Sequence, residues 1–72
     1  MTLIEQIKAA RLPAPAERRS IREAAGVTLT EIADELGVTA TAVMRWERGT
    51  EPQRDRAIAY RQLLDALRDA VR

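Results

Sequence analysis

The chain has no cysteine and no histidine. Thiolate nucleophiles, imidazole bases, disulfides and nearly all zinc-site chemistry are therefore excluded. It has no phenylalanine, one tryptophan and one tyrosine. Unbroken apolar runs reach only a few residues, so no segment is expected to span a membrane, and no secretory leader pattern opens the chain. The expected location is the cytoplasm, with no metal and no cofactor. A chain of 72 residues is expected to form one small domain, burying ~60% of the surface its unfolded form exposes. That leaves little room for the deep cleft most enzymes use, and no enzymatic activity is expected.

What is present is alanine and charge. Hydrophobic residues make up 46% of the chain, 13 of them Ala, and 32% of residues are charged. This composition reads as all-helical. Twelve cations against 11 anions leave a formal charge of +1, which does not by itself point to nucleic acid. The type of cation says more. Eleven of the 12 are Arg, with Lys8 the exception. Arginine's planar fork suits bidentate contacts to phosphates and guanine edges. Arg45, Arg48, Arg54 and Arg56 fall within one short stretch, diluted by Glu47, Glu51 and Asp55. A solvated mixed-charge face is the bland alternative for that stretch.

Punctuation divides the chain into five helices. Thr2 and Glu5 read as a capping box opening a first helix to about Arg11, ended by Leu12-Pro13-Ala14-Pro15, with Leu3, Ile7 and Ala10 as its apolar stripe. Pro15 suits the entrance of a second helix, which Gly26 stops; Ile21, Ala24 and Ala25 would line its inner side. Thr28 and Glu31 form a second box, and Leu29, Ile32, Ala33 and Leu36 follow at amphipathic spacing. Gly37-Val38 breaks that helix, and Thr39 caps a fourth that runs to about Arg48 before Gly49. Thr50-Glu51-Pro52-Gln53 reads as a third box ahead of a last helix from about Gln53 to Val71. The expected organisation is residues 1–16 as an N-terminal helix and Pro-rich joint, 17–49 as the central unit and 50–72 as the C-terminal helix.

Two short helices joined by a tight turn containing Gly is the layout of a helix-turn-helix. At 100° per residue, Ala40, Met44, Arg48, Thr41 and Arg45 fall within an arc of roughly 140°. Val43, Trp46 and Glu47 fall on the other side, so Val43 and Trp46 are expected to anchor the helix. The outer arc then presents small side chains first and guanidinium groups later, which suits a major groove ~12 Å wide. Methyls of Ala40 and Thr41 can meet a thymine methyl, and Arg45 can pair with guanine. Arg48, at the exit, is placed for a phosphate. Free backbone N–H groups at the two helix N-termini suit phosphates as well.

Glu31-Ile-Ala-Asp-Glu-Leu-Gly-Val-Thr39 followed by Val43-Met-Arg-Trp-Glu-Arg-Gly49 resembles the phage repressor/Cro-like (XRE-type) helix-turn-helix family, over about residues 18 to 56. The resemblance implies a lambda-repressor-like fold and a sequence-specific regulator of double-stranded DNA, usually a homodimer on a two-fold operator. It makes Thr39–Arg48 the recognition helix, with Ala40, Thr41, Met44 and Arg45 at base-reading places. Thr28, Thr39, Arg48, Gln53 and Arg54 fall at phosphate-contacting places. It further implies that Arg22 pairs with Glu47 to fix the recognition helix, in keeping with the inward position of Glu47. The family often has Gln where this chain has Leu29, so a side-chain phosphate contact there is lost. The two ends of the chain lie outside the resemblance.

The last helix carries a broad apolar stripe of Ala57, Tyr60, Leu64, Leu67 and Val71, widened by Leu63, Ala66 and Ala70. One part should close the core. Tyr60, Leu63, Leu64, Leu67 and Val71 are the candidates for pairing with a second copy, joined by Leu3, Ile4 and Ile7; the alternative is that the N-terminal helix covers that surface. The expected function is repression by promoter occupancy. Two rivals stand beside it: an antitoxin or accessory DNA-binding factor that holds a protein partner, and a helical adaptor that does not bind DNA.

Overall fold

Residues 1–72 were described in a computed structural model. Five α-helices follow one another: α1 Leu3–Ala9, α2 Pro15–Ala24, α3 Leu29–Leu36, α4 Ala40–Glu47 and α5 Arg54–Ala70. There is no strand.

Helix entrances follow local chemistry. At α3 the box is complete: Glu31 N–H donates to Thr28 Oγ1 at 3.1 Å, and Thr28 N–H donates to Glu31 Oε1 at 2.9 Å. The pKa of the Glu31 carboxylate is lowered, first by the Thr28 backbone donor and second by the nearby Thr28 hydroxyl. Thr39 caps α4 by accepting from Ala42 N–H at 3.1 Å. At α1 only half a box forms, because the Glu5 carboxylate takes the Thr2 hydroxyl instead of its backbone N–H. The third box does not form. Gln53 leads into α5 with no side-chain cap, and the Glu51 carboxylate is engaged elsewhere.

The turn between α3 and α4 is three residues long. Gly37 adopts the left-handed conformation (φ 68°), and Val38 N–H returns to Ala33 O at 3.0 Å. A side chain at this φ would be strained. Arg56 reaches from α5 to bond Leu36 O at 2.7 Å. Arg56 therefore secures the end of α3 instead of forming an ion pair within its own helix.

The core is a cluster of Ile21, Ile32, Ala33, Val43, Trp46, Tyr60 and Leu64. Trp46 and Tyr60 meet with ring centroids 5.0 Å apart at 42°. Burial of each large apolar side chain contributes ~1.5–3 kcal/mol. Two expectations need correction. Tyr60 and Leu64 are each 1% exposed, because the α5 stripe turns its middle into the core, so neither is available to a second copy. Leu63 and Leu67 are half-buried against the same cluster, and Val71 is exposed. Helix α1 contributes no buried residue. This helix rests on α5 alone, and Leu3, Ile4 and Ile7 remain exposed. On α2, Ala24 is exposed and Ala25 half-buried, and the inner side is completed by Arg18.

Burial pushes the Tyr60 phenol up to about 12; the neighbouring Glu47 carboxylate adds to this, and Arg18 and Arg22 oppose it. A pKa raised above the unfolded value of ~10 means that the folded chain holds its proton longer. The associated stability is present below about pH 10 and is lost as pH rises towards about 12. Tyr60 is the sole tyrosine, so absorbance titration reads it alone. Phenolate should appear near pH 12 in the folded protein and near ~10 in urea.

Candidate nucleic-acid interface

The orientation of α4 is set from below. Val43 is 0% and Trp46 6% exposed, which turns Thr41, Arg45 and Arg48 outward, all exposed. Ala40 and Met44 are half-buried at the edge of that face. Five residues on one face of a short helix are thus presented together: Ala40, Thr41, Met44, Arg45 and Arg48.

An ion pair holds the helix at its end. Arg22 Nε donates to Glu47 Oε2 at 2.6 Å and Arg22 Nη2 to Glu47 Oε1 at 3.0 Å, a bidentate fork. A third donor, Arg22 Nη1, bonds Val27 O at 3.0 Å. The hydrogen bond to Glu47 raises the Arg22 pKa further, against the opposing effect of burial. This one side chain therefore ties α2, the loop before α3 and the end of α4. A shallow cleft of about 220 Å³ lies beside the pair, lined by Arg19, Arg22, Leu29, Met44, Glu47 and Arg48.

The arginines divide into two groups. Six are in ion pairs: Arg18, Arg19, Arg22, Arg61, Arg68 and Arg72. The cluster noted in the sequence is not. Arg45, Arg48 and Arg54 are exposed and bond no protein group, and Arg56 bonds a carbonyl only. Apart from Arg11 and Lys8, which also lack an ion pair, the molecule neutralises its cations elsewhere and leaves them open along α4 and the start of α5.

Thr28, Thr39, Gln53 and Arg54 are all exposed at helix entrances. The Thr28 and Glu31 N–H groups are consumed by the capping box, and the Ala42 N–H by Thr39. The donors left at these entrances are those of Leu29 and Thr30 on α3, and of Ala40 and Thr41 on α4. Leu29 is half-buried and packs against the core.

Sequence reasoning missed Arg18 and Glu51. Arg18 is 3% exposed, and its Nη2 donates to Glu51 Oε1 at 2.7 Å. The signal was available: Arg18, Ile21, Arg22 and Ala25 share one face of α2 at i, i+3, i+4 and i+7.

A tight turn between two short helices, with the second seated on an aromatic core and fastened by a partly buried ion pair, defines a helix-turn-helix protein. The profile of the helix-turn-helix family matches residues 19–67. The chain belongs to that family, and it is a DNA-binding regulator of the XRE type. No curated protein and no solved structure matches it. No helix is long and apolar enough to cross a membrane.

Replacing Glu47 by Ala leaves the Arg22 guanidinium without its fork partner in a largely buried place. Side chains of the pair are 14% and 7% exposed. Urea denaturation of Glu47→Ala should show a loss of about 3 kcal/mol.

Proposed function

We propose that this chain reads specific double-stranded DNA sequences through the outer face of α4 and represses transcription by occupying a promoter. The observation that carries the reading is the set of open guanidinium groups at Arg45, Arg48 and Arg54, in a molecule whose other buried and surface arginines are mostly paired. Desolvating a cation that already has a carboxylate partner gains little; an open one is ready for an anion.

The roles follow from position. Ala40 and Thr41 lead the helix into the major groove, where small side chains allow close approach and their methyls meet thymine. Met44 adds an adaptable apolar contact. Arg45 pairs with guanine O6 and N7. Arg48, Gln53 and Arg54 contact phosphates, joined by Thr28 and Thr39 at the two helix entrances, where the open N–H groups of Leu29, Thr30, Ala40 and Thr41 add donors. The Arg22–Glu47 pair positions the helix and reads nothing.

A second copy completes the operator reading. Leu3, Ile4, Ile7 and Val71 are exposed apolar side chains at the outer helices, and that open surface favours a homodimer, which would set recognition helices ~34 Å apart. Leu63 and Leu67 offer their half-exposed edges to it. The place of action is the cytoplasm.

Two substitutions separate the roles. Arg45→Ala should relax base choice at one position, at a cost of ~1–3 kcal/mol against the preferred site. Arg48→Ala should weaken all sequences alike and reduce the salt slope of binding by ~0.9. Fluorescence anisotropy on a preferred and a scrambled duplex, over a salt series, measures both.

A further inference from the structure

Arg18 is a buried cation that the reading above does not use. It is 3% exposed, yet each of its three nitrogens donates to an acceptor. Nε donates to Pro13 O at 2.8 Å, Nη1 to Trp46 O at 3.0 Å and Nη2 to Glu51 Oε1 at 2.7 Å. The three acceptors come from three places: the joint before α2, the last turn of α4 and the loop leading to α5. A charge hidden this deeply is costly unless each donor finds a partner. Burying it suits a task that an apolar residue cannot perform.

The acceptors indicate that task. Trp46 O is one of the last carbonyls of α4, and within the chain it otherwise receives only the long Gly49 N–H contact at 3.4 Å. A guanidinium there closes the helix end and meets the negative pole of its dipole. Glu51 lies in the loop between Arg48 and Gln53, and its side chain is 64% exposed apart from this contact. Fastening Glu51 to a buried group that also grips Trp46 gives the loop a fixed station relative to the recognition helix.

We propose that Arg18 is a positioning residue for DNA reading: it clasps the exit of α4 to the following loop, so that Arg48, Gln53 and Arg54 meet the phosphates in register with Arg45. The inference rests on the DNA reading above. Arg18 lies one residue before the stretch that the family profile matches, and its acceptors Trp46 and Glu51 lie within it.

Glu51→Gln gives the test its sign. Removing a carboxylate near DNA strengthens binding by charge alone. Releasing the loop weakens it, because each freed side chain must be ordered again on binding, about two- to tenfold per side chain. The measurements are the dissociation constant and salt slope on a selected duplex, beside the urea midpoint. Glu51→Gln should bind about two- to tenfold more weakly while the protein still folds, with its urea midpoint lowered by the loss of the buried charge's partner, and base preference should persist. In an Arg18→Lys background, where a single ammonium cannot span the three acceptors, Glu51→Gln should have no further effect. Equal or tighter binding by Glu51→Gln overturns the proposal, as does the same loss in both backgrounds. If Arg18→Lys fails to fold, the sign of the Glu51→Gln effect decides alone. If the unmodified protein binds no duplex, the DNA reading itself fails, an outcome distinct from the others.

Discussion

The rotation of one short helix about its own axis is the constraint on which the rest depends. Trp46 and Val43 are driven inward by burial, and Trp46 lies against Tyr60 with centroids 5.0 Å apart. A turn of one residue would move the outer face by 100° and replace Trp46 with Arg45 or Glu47 in the core. Either exchange buries a charge without a prepared partner. The apolar anchor therefore excludes the neighbouring orientations, and the same exclusion decides which side chains face outward.

Polar groups then refine what the core sets coarsely. Arg22 grips Glu47 at one flank of α4, and Arg18 grips the carbonyl of Trp46 at its end. Both cations come from α2, so α2 acts as a backing rail for α4. Such interactions add little net stability compared with apolar packing, but losing one partner is expensive. This asymmetry makes them suited to defining a single arrangement. Arg18 and Arg22 of α2 are spent inside the fold, whereas the arginines from Arg45 to Arg54 remain open to solvent. One residue type thus serves two purposes, separated by whether a carboxylate was placed beside it.

Much of this was legible in the sequence, for identifiable reasons. Capping threonines and glycines mark helix ends by local chemistry, so α3, the turn and α4 emerged without tertiary information. The outward face of α4 followed from its period, because Trp46 and Val43 left one orientation open. The partner of Arg22 came through family resemblance, since no pattern within one chain says which two distant charges meet. Other features lay beyond pattern reading. Periodicity shows that α5 is apolar along one side, but not that Tyr60 and Leu64 are consumed by the core while Val71 is left outside. The stripe of α1 was legible as a stripe, yet its burial depended on neighbours that α5 alone supplies. Arg18 was hidden because a charged residue at an inward position reads as surface until its acceptors are known. Thr50 and Gln53 resembled a capping box by local spacing alone, while Glu51 between them meets a distant guanidinium that only the fold brings near.

Recognition of base sequence by the outward face of α4 can be tested by selection from a pool of random duplexes. Repeated rounds with the unmodified protein at physiological salt should enrich a defined motif, arranged as two half-sites about a two-fold axis. A pool that stays random while the protein remains folded would contradict it.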